Sequence, residues 1–323
     1  MKWKVFVTRN IPSSGLDLLR NAGMQVDIYP HDQPVPEGVL LEKIVDCDAL
    51  LCLLTDSISR RIIKAGQELK IIANYAVGYN NIDLLTAAQR GIVVTNTPDV
   101  LTETTADLAF ALILACARRV TEGDQMVRSG NFTGWSPLML LGAEVYGQTL
   151  GIIGAGRIGT AVARRAHGFG MNILYADTEP NRLIEKDYVA MKSDMGNLIR
   201  NSDFISLHVP LMDTTHHLID EKRFQQMKSS AFLINTSRGA VIDEQALVRA
   251  LHDRTIAGAG LDVYEREPLL AKGLVSFKNV VLLPHLGSAT SQTRAKMAEL
   301  AARNIIELSK GNPAPNTITL KRI

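Results

Sequence analysis

The sequence predicts an α/β protein made of two doubly wound parallel sheets. Three observations carry that expectation. The chain has 323 residues, too long for one ordinary domain and comfortable for two. Short apolar runs alternate with helical stretches, the pattern of a parallel sheet covered on both faces. The alternation is interrupted once, by a long helical segment, and resumes at Gln148.

In the first series "KVFVT" reads as strand and "SSGLDLLRNAG" as helix. "QVDIY" follows as strand, "EGVLLEKIVD" as helix, "ALLCLL" as strand and "SRRIIKAG" as helix. "KIIANY" is strand, "IDLLTAAQRG" helix and "IVVTN" strand, which closes the series near Pro98. The segment "VLTETTADLAFALILACARRVTEGDQMVRSG" is expected to be one long helix, started by Thr102 or Thr104 and closed by Gly130. A helix of that length can bridge two domains or pair with a second subunit. In the second series "TLGIIGAGRIG" is strand and turn, "TAVARRAHGFG" helix and "NILYAD" strand. Further strands are expected at "FISLHVP", "AFLINTS", "IAGAGLDVY" and "VVLLPH". The segment "SQTRAKMAELAARNIIELSKG" is a last helix. No period of 20–50 residues repeats, so the chain is not a solenoid.

Composition narrows the partners. Hydrophobic residues make up 46% and charged residues 21%, a soluble globular profile. The formal net charge is +2 and no basic block stands out, so nucleic acid is not an expected partner. Cys47, Cys52 and Cys116 are odd in number, form no C-x-x-C and sit in apolar or helical patterns, which points to reduced core thiols in a cytoplasmic protein. The N-terminus lacks the long apolar region and cleavage site of a signal peptide. The longest apolar stretch, Leu108 to Ala117, is too short to span a bilayer and reads as a buried helix.

The chemistry begins with "LGIIGAGRIG". Gly154, Gly156 and Gly159 stand in G-x-G-x-x-G spacing after a strand and at the opening of a helix. Gly154 permits the tight turn, Gly156 lets a pyrophosphate approach the backbone and Gly159 lets helix and strand pack closely. The helix start, through Arg157 and Ile158, presents N–H groups to phosphates. A glycine turn in an unliganded α/β domain is the plain alternative, and the next strand speaks against it by ending in Asp177. That carboxylate lies 18 residues after Gly159, where it can accept from ribose hydroxyls and would repel a 2′-phosphate. NAD(H) is therefore favoured, with NADP(H) open because Arg182 is near.

Three later strands each end in polar residues. "LINTSRGAVID" carries Arg238, "GLDVYEREP" carries Asp262 and Glu267, and "LLPHLGSAT" carries His285. Ligands of open parallel sheets bind beyond the carboxyl ends of the strands, so these can share one crevice. A lone histidine at a strand end is more often structural, and an Arg and a Glu beside it could be a plain ion pair.

The glycine motif, the "NTSRG" Arg, the "E-P" Glu and the "PH" His, taken in order and spacing, resemble the D-isomer-specific 2-hydroxyacid dehydrogenases over essentially the whole chain. "LLCLLTD", "VGYNNID" and "GWSPLMLLG" resemble the glyoxylate/hydroxypyruvate reductase branch more closely. The resemblance implies reduction of a small 2-oxo acid by hydride transfer from NAD(P)H. His285 would donate the proton, and an imidazole suits that task near neutral pH. Glu267 would accept from the other ring nitrogen and stabilise the imidazolium. Arg238 would hold the substrate carboxylate and polarise the carbonyl. It further implies cofactor contacts from Thr105, Thr236 and Asp262 and packing by Val209 and Pro210. Val77 and Gly78 would offer backbone N–H groups to the substrate, and Leu53 would line the small end of its pocket. Trp135 would reach the active site of a neighbouring subunit in a homodimer, or act as an interface aromatic. His208, His216 and His217 are left as loop or packing residues, and no metal site is expected.

The expected organisation is a substrate domain of residues 1–99 plus 287–323 and a Rossmann-type cofactor domain of residues 100–286, with a cleft between them and a hinge near Asp99 and Leu286. Other family activities, on 2-ketogluconate, phosphoglycerate or D-lactate, stay open, as does a dinucleotide-sensing corepressor-like scaffold.

Overall fold

The computed structural model describes residues 2–319; Met1 and residues 320–323, which the expected domain ranges include, lie outside the described residues. The chain divides into two compact units, one running to Leu101 and resuming at Ser288, the other Thr102–Gly287.

The first unit begins with β1 (Lys4–Val7), α1 (Ser13–Asn21), β2 (Gln25–Ile28), α2 (Glu37–Lys43) and β3 (Ala49–Leu53). It continues with α3 (Arg60–Ala65), β4 (Ile71–Tyr75), α4 (Leu84–Gln89) and β5 (Val93–Thr95). The second unit holds α5 (Thr102–Ala117), α6 (Val120–Arg128), β6 (Thr149–Ile153), α7 (Arg157–Gly168), β7 (Asn172–Ala176), α8 (Arg182–Tyr188) and β8 (Met191–Lys192). It ends with α9 (Met195–Asn201), β9 (Phe204–Leu207), α10 (Glu221–Phe224), β10 (Phe232–Asn235), α11 (Glu244–His252), β11 (Gly258–Leu261) and β12 (Val280–Leu282). Helix α12 (Ser291–Ser309) completes the first unit.

The first sheet is parallel in the order β2-β1-β3-β4-β5. Its middle strand β3 is apolar throughout because both faces are covered. In β3, Ala49 and Leu51 join the cluster that α1 and α12 cover, while Leu50 and Cys52 join the cluster under α2, α3 and α4. Helices α1 and α12 meet nearly backbone to backbone: a Cβ on Gly15 would stand 2.5 Å from the Ala298 carbonyl oxygen.

The second sheet is parallel in the order β12-β11-β10-β9-β6-β7-β8. One face packs on α5 and α7 through Ala109, Ile113, Val162 and Ala166; the other packs on α9, α10 and α11 through Leu198, Phe224 and Leu247. The chain order reverses between β6 and β9, the switch point at which such sheets bind dinucleotides beyond their carboxyl ends.

The segment expected to be one long helix is two. Arg119 is left-handed at φ 52° and breaks it. The reason is close backbone packing at the end of α5: the Ala117 carbonyl accepts from Ala143 N–H at 2.8 Å, and a Cβ on Gly142 would overlap that carbonyl oxygen. All three cysteines are buried and unpaired, and burial pushes the Cys47 and Cys116 thiols up to about 11 and about 12. Among the described residues no helix is long and apolar enough to cross a membrane.

Candidate active site

The glycine loop leaves β6 directly. Gly154 sits at φ 93°, and a Cβ there would lie 2.7 Å from the His208 carbonyl. A Cβ on Gly159 would overlap the Gly154 carbonyl oxygen, so α7 can lie against the turn only with glycine at that position. Gly156 differs: a Cβ there would meet nothing within 4 Å, which leaves open space where a ligand can approach the backbone. No side chain caps α7, whose first residues are Arg157 and Ile158. These features fit a dinucleotide pyrophosphate.

Asp177 follows β7 and steadies the loop. Its Oδ2 accepts from Ala155 N–H at 2.7 Å and its Oδ1 from Thr178 N–H at 2.7 Å. Oδ1 also accepts from Thr178 Oγ1 at 3.2 Å, while Oδ2 keeps a second acceptor site, so a hydroxyl donor of a ribose can still be taken. Asn181, which sequence reasoning missed, donates to the Ala155 carbonyl at 2.7 Å and caps α8. Val209 and Pro210 follow β9, with Val209 beside the Gly154 turn. Ser206 Oγ lies 2.8 Å from His208 Nε2, and burial lowers the pKa of His208 to about 3, so the ring is neutral. Thr236, just past β10, has a buried hydroxyl without a partner among the described residues, a further fit to a polar ligand. Thr105 donates its hydroxyl to the Gly287 carbonyl at 3.0 Å, which leaves the hydroxyl oxygen able to accept from a cofactor.

Arg238, Glu267 and His285 come together at the carboxyl ends of β10, β11 and β12. Asn235, the last residue of β10, shapes the first turn: its Nδ2 donates to the Arg238 carbonyl at 2.9 Å and its Oδ1 accepts from Ser237 N–H at 3.0 Å. A Cβ on Gly239 would overlap the Tyr264 carbonyl, so the glycine of "SRG" lets the Glu267 loop close on the Arg238 turn. Arg238 Nη1 donates to the Ser237 carbonyl at 2.7 Å. Burial lowers its pKa against the pull of Glu267, and a guanidinium stays charged regardless.

His285 Nδ1 stands 2.9 Å from Glu267 Oε2, and the second carboxylate oxygen accepts from Tyr264 N–H at 3.1 Å. Both side chains are about a quarter exposed, 26% and 27%, so solutes can reach the ring. Burial alone would raise the Glu267 pKa; the His285 bond, its charge, the Tyr264 N–H and Arg238 outweigh burial and hold it below the usual value. The Glu267–Pro268 peptide is cis.

His285 is itself left-handed, at φ 56°. Asp262 holds it there. The Asp262 carbonyl accepts from His285 N–H at 2.9 Å, and the two carboxylate oxygens accept from Leu286 and Gly287 N–H at 2.6 and 2.8 Å. The resemblance implied a nicotinamide contact for Asp262. The residue is 1% exposed, its carboxylate accepts from the turn that carries His285, and burial raises its pKa.

Leu53, Val77 and Gly78 belong to the first unit. Leu53 ends β3, and its N–H goes to the buried Asp56 at 2.8 Å. The Val77 and Gly78 carbonyls accept from Asn96 and Asn74, each at 2.8 Å, while their N–H groups have no partner among the described residues. Asp56 and Asn74 escaped sequence reasoning, since polar residues beside a strand end carry no periodic signal. Trp135 lies in the second unit, outside any helix or strand, and is 81% exposed. Among the described residues no three His, Cys, Asp or Glu side chains group as a metal site.

Known proteins resemble the chain in sequence and in fold. Residues 110–287 match the model of the D-isomer specific 2-hydroxyacid dehydrogenase NAD binding domain. The glyoxylate reductase of Thermococcus litoralis is 51% identical over 322 residues, covering 98% of this chain and 97% of that protein. A Thermus thermophilus crystal structure superposes with a TM-score of 0.92 at 42% identity, covering 98% of this chain and 100% of that one. The Sinorhizobium meliloti NADPH-dependent glyoxylate/hydroxypyruvate reductase, in complex with NADP and malonate, gives 0.88 at 32% identity with both chains fully covered.

Proposed function

Because the chain belongs to the D-isomer specific 2-hydroxyacid dehydrogenase family, we propose that it is a reductase of glyoxylate, and of hydroxypyruvate, using a reduced nicotinamide dinucleotide. The single observation that carries the reading is the His285–Glu267 pair at 2.9 Å, beside Arg238 and in the unit that holds the glycine loop. The cofactor, when bound, supplies a hydride to the carbonyl carbon. Arg238 holds the acid's carboxylate and draws charge onto the carbonyl oxygen. His285 gives that oxygen a proton from Nε2, the ring nitrogen not engaged by Glu267, and takes it back in the reverse direction. Glu267, held ionised, fixes the tautomer and stabilises the imidazolium. Leu53, Val77 and Gly78 keep the substrate-binding roles that the resemblance implies.

The Asp177 carboxylate supports NADH over NADPH, because a 2′-phosphate beside it would be repelled. Exposed apolar side chains around Trp135 support a homodimer, and three unpaired thiols support a cytoplasmic setting.

The test is the initial rate of loss of reduced-nicotinamide absorbance with NADH or NADPH and, in turn, glyoxylate, hydroxypyruvate, pyruvate and 2-ketogluconate. Fast turnover of the first two is expected, with NADH the better donor. Turnover of pyruvate or 2-ketogluconate alone would move the chain to another activity of the family. Cofactor binding without turnover of any would remove the reductase reading.

A further inference from the structure

Glu244 is an acid that helix α11 does not need. Asp243 already caps that helix, accepting from Ala246 N–H at 3.0 Å. First-turn acids favour a helix from the surface, yet Glu244 is turned inward and is 5% exposed. Burying a carboxylate is costly unless its oxygens are satisfied. Here Oε1 accepts from Glu265 N–H at 2.6 Å and Oε2 from Ala271 N–H at 3.2 Å. Those two points bracket Glu267 in the chain. Glu265 answers from the other side: its Oε2 accepts from Glu244 N–H at 3.4 Å and its Oε1 lies 3.3 Å from His217 Nε2. Burial pushes the Glu244 pKa up, the two N–H groups oppose it, and the Glu265 and Glu267 carboxylates add to the rise.

We propose that Glu244 is a positioning residue for catalysis: by clamping the Glu265–Ala271 loop it holds the Glu267 carboxylate on Nδ1 of His285. The proposal rests on the roles given above to Glu267 and His285. Its physical content is a geometric requirement. The Glu267 carboxylate is fixed by one backbone bond from Tyr264, and a loop free to drift would carry it away from the imidazole. The charged or titratable groups around this chain of contacts are Glu265, Glu267 and Tyr264 near Glu244, His217 next to Glu265, and Arg238, Asp262, Tyr264 and His285 around Glu267.

The experiment compares wild type, Glu244→Gln, Glu267→Gln and the double variant as full-length protein. It reads the pH profile of kcat/KM for glyoxylate reduction, the melting temperature and cofactor binding. Reduction needs a protonated donor, and a misplaced carboxylate holds that proton less well. Glu244→Gln should therefore cost about tenfold or more in kcat/KM and move the alkaline limb to lower pH, with cofactor binding kept. In the Glu267→Gln background it should add little, because both changes break the same link. A lower melting temperature with the alkaline limb unmoved, or losses that multiply in the double variant, would overturn the proposal. If Glu267→Gln itself leaves the limb in place, the role of Glu267 fails and the proposal falls with it, a result distinct from failure of Glu244 alone. Should Glu244→Gln not fold, Glu244→Asp keeps the charge, is too short to reach both N–H groups, and is judged by the same two criteria.

Discussion

Asp262 places His285 by spending both carboxylate oxygens on the two N–H groups that follow the histidine. Asp262→Asn would turn an amide NH2 toward one of those N–H groups and lose a charge-assisted bond, at a cost of about 2–3 kcal/mol. For a domain of this size the melting temperature should drop by about 5 °C or more, and calorimetry would show it. An unchanged melting temperature would mean that the turn holds His285 without the carboxylate. At this scale the sequence is legible only in part. His285 stands out because a strand and a proline lead to it and loop follows. Asp262 is visible as a strand-end acid, but its direction is not, since an aspartate aimed at a cofactor and one aimed at two backbone N–H groups look alike in a linear pattern. Glu244 is hidden for the same reason: in "VIDEQAL" it reads as an ordinary first-turn acid.

Elements with both faces buried were the easiest to read, because a continuous apolar run such as "ALLCL" or "FLIN" has one good explanation. The edge strand β8, two exposed residues long, carries no such signal. The break between α5 and α6 is equally silent, since it is imposed by the distant backbone at Gly142 and Ala143. The β6–α7 turn gives the sharpest test of an element-level argument, because its glycines serve different ends. Gly154→Ala meets both a positive φ and the His208 carbonyl, so it should destabilise the fold by about 1–3 kcal/mol. Gly156→Ala meets nothing in the protein. It should leave the melting temperature unchanged and weaken cofactor binding at least tenfold, by crowding the pyrophosphate. Calorimetric titration with NADH alongside thermal melts separates the two. Equal cofactor affinity in Gly156→Ala and wild type would remove the pyrophosphate from this turn.

At the scale of the molecule the sequence suggests assembly through the length of a helix that the structure divides in two. The surface offers a different argument. From α6 to the start of β6 the second unit exposes Val120, Val127, Phe132, Trp135, Leu138, Leu141 and Tyr146, an apolar run with little secondary structure of its own after α6. Scattered exposed apolar residues are ordinary, but so many large ones in under thirty residues favour burial against a partner. A second copy of the chain is the expected partner, since homodimers are the commonest soluble oligomers. Sedimentation equilibrium should return twice the chain mass. The pair of changes Trp135→Ser and Leu138→Ser should shift it toward one chain while the fold of each chain survives, because neither side chain belongs to a core cluster. Turnover by that variant then decides what Trp135 is for. If activity is lost with the dimer and returns when concentration restores pairing, the interface is needed for the site. If the single chain reduces glyoxylate as fast as the pair, Trp135 is an interface residue alone.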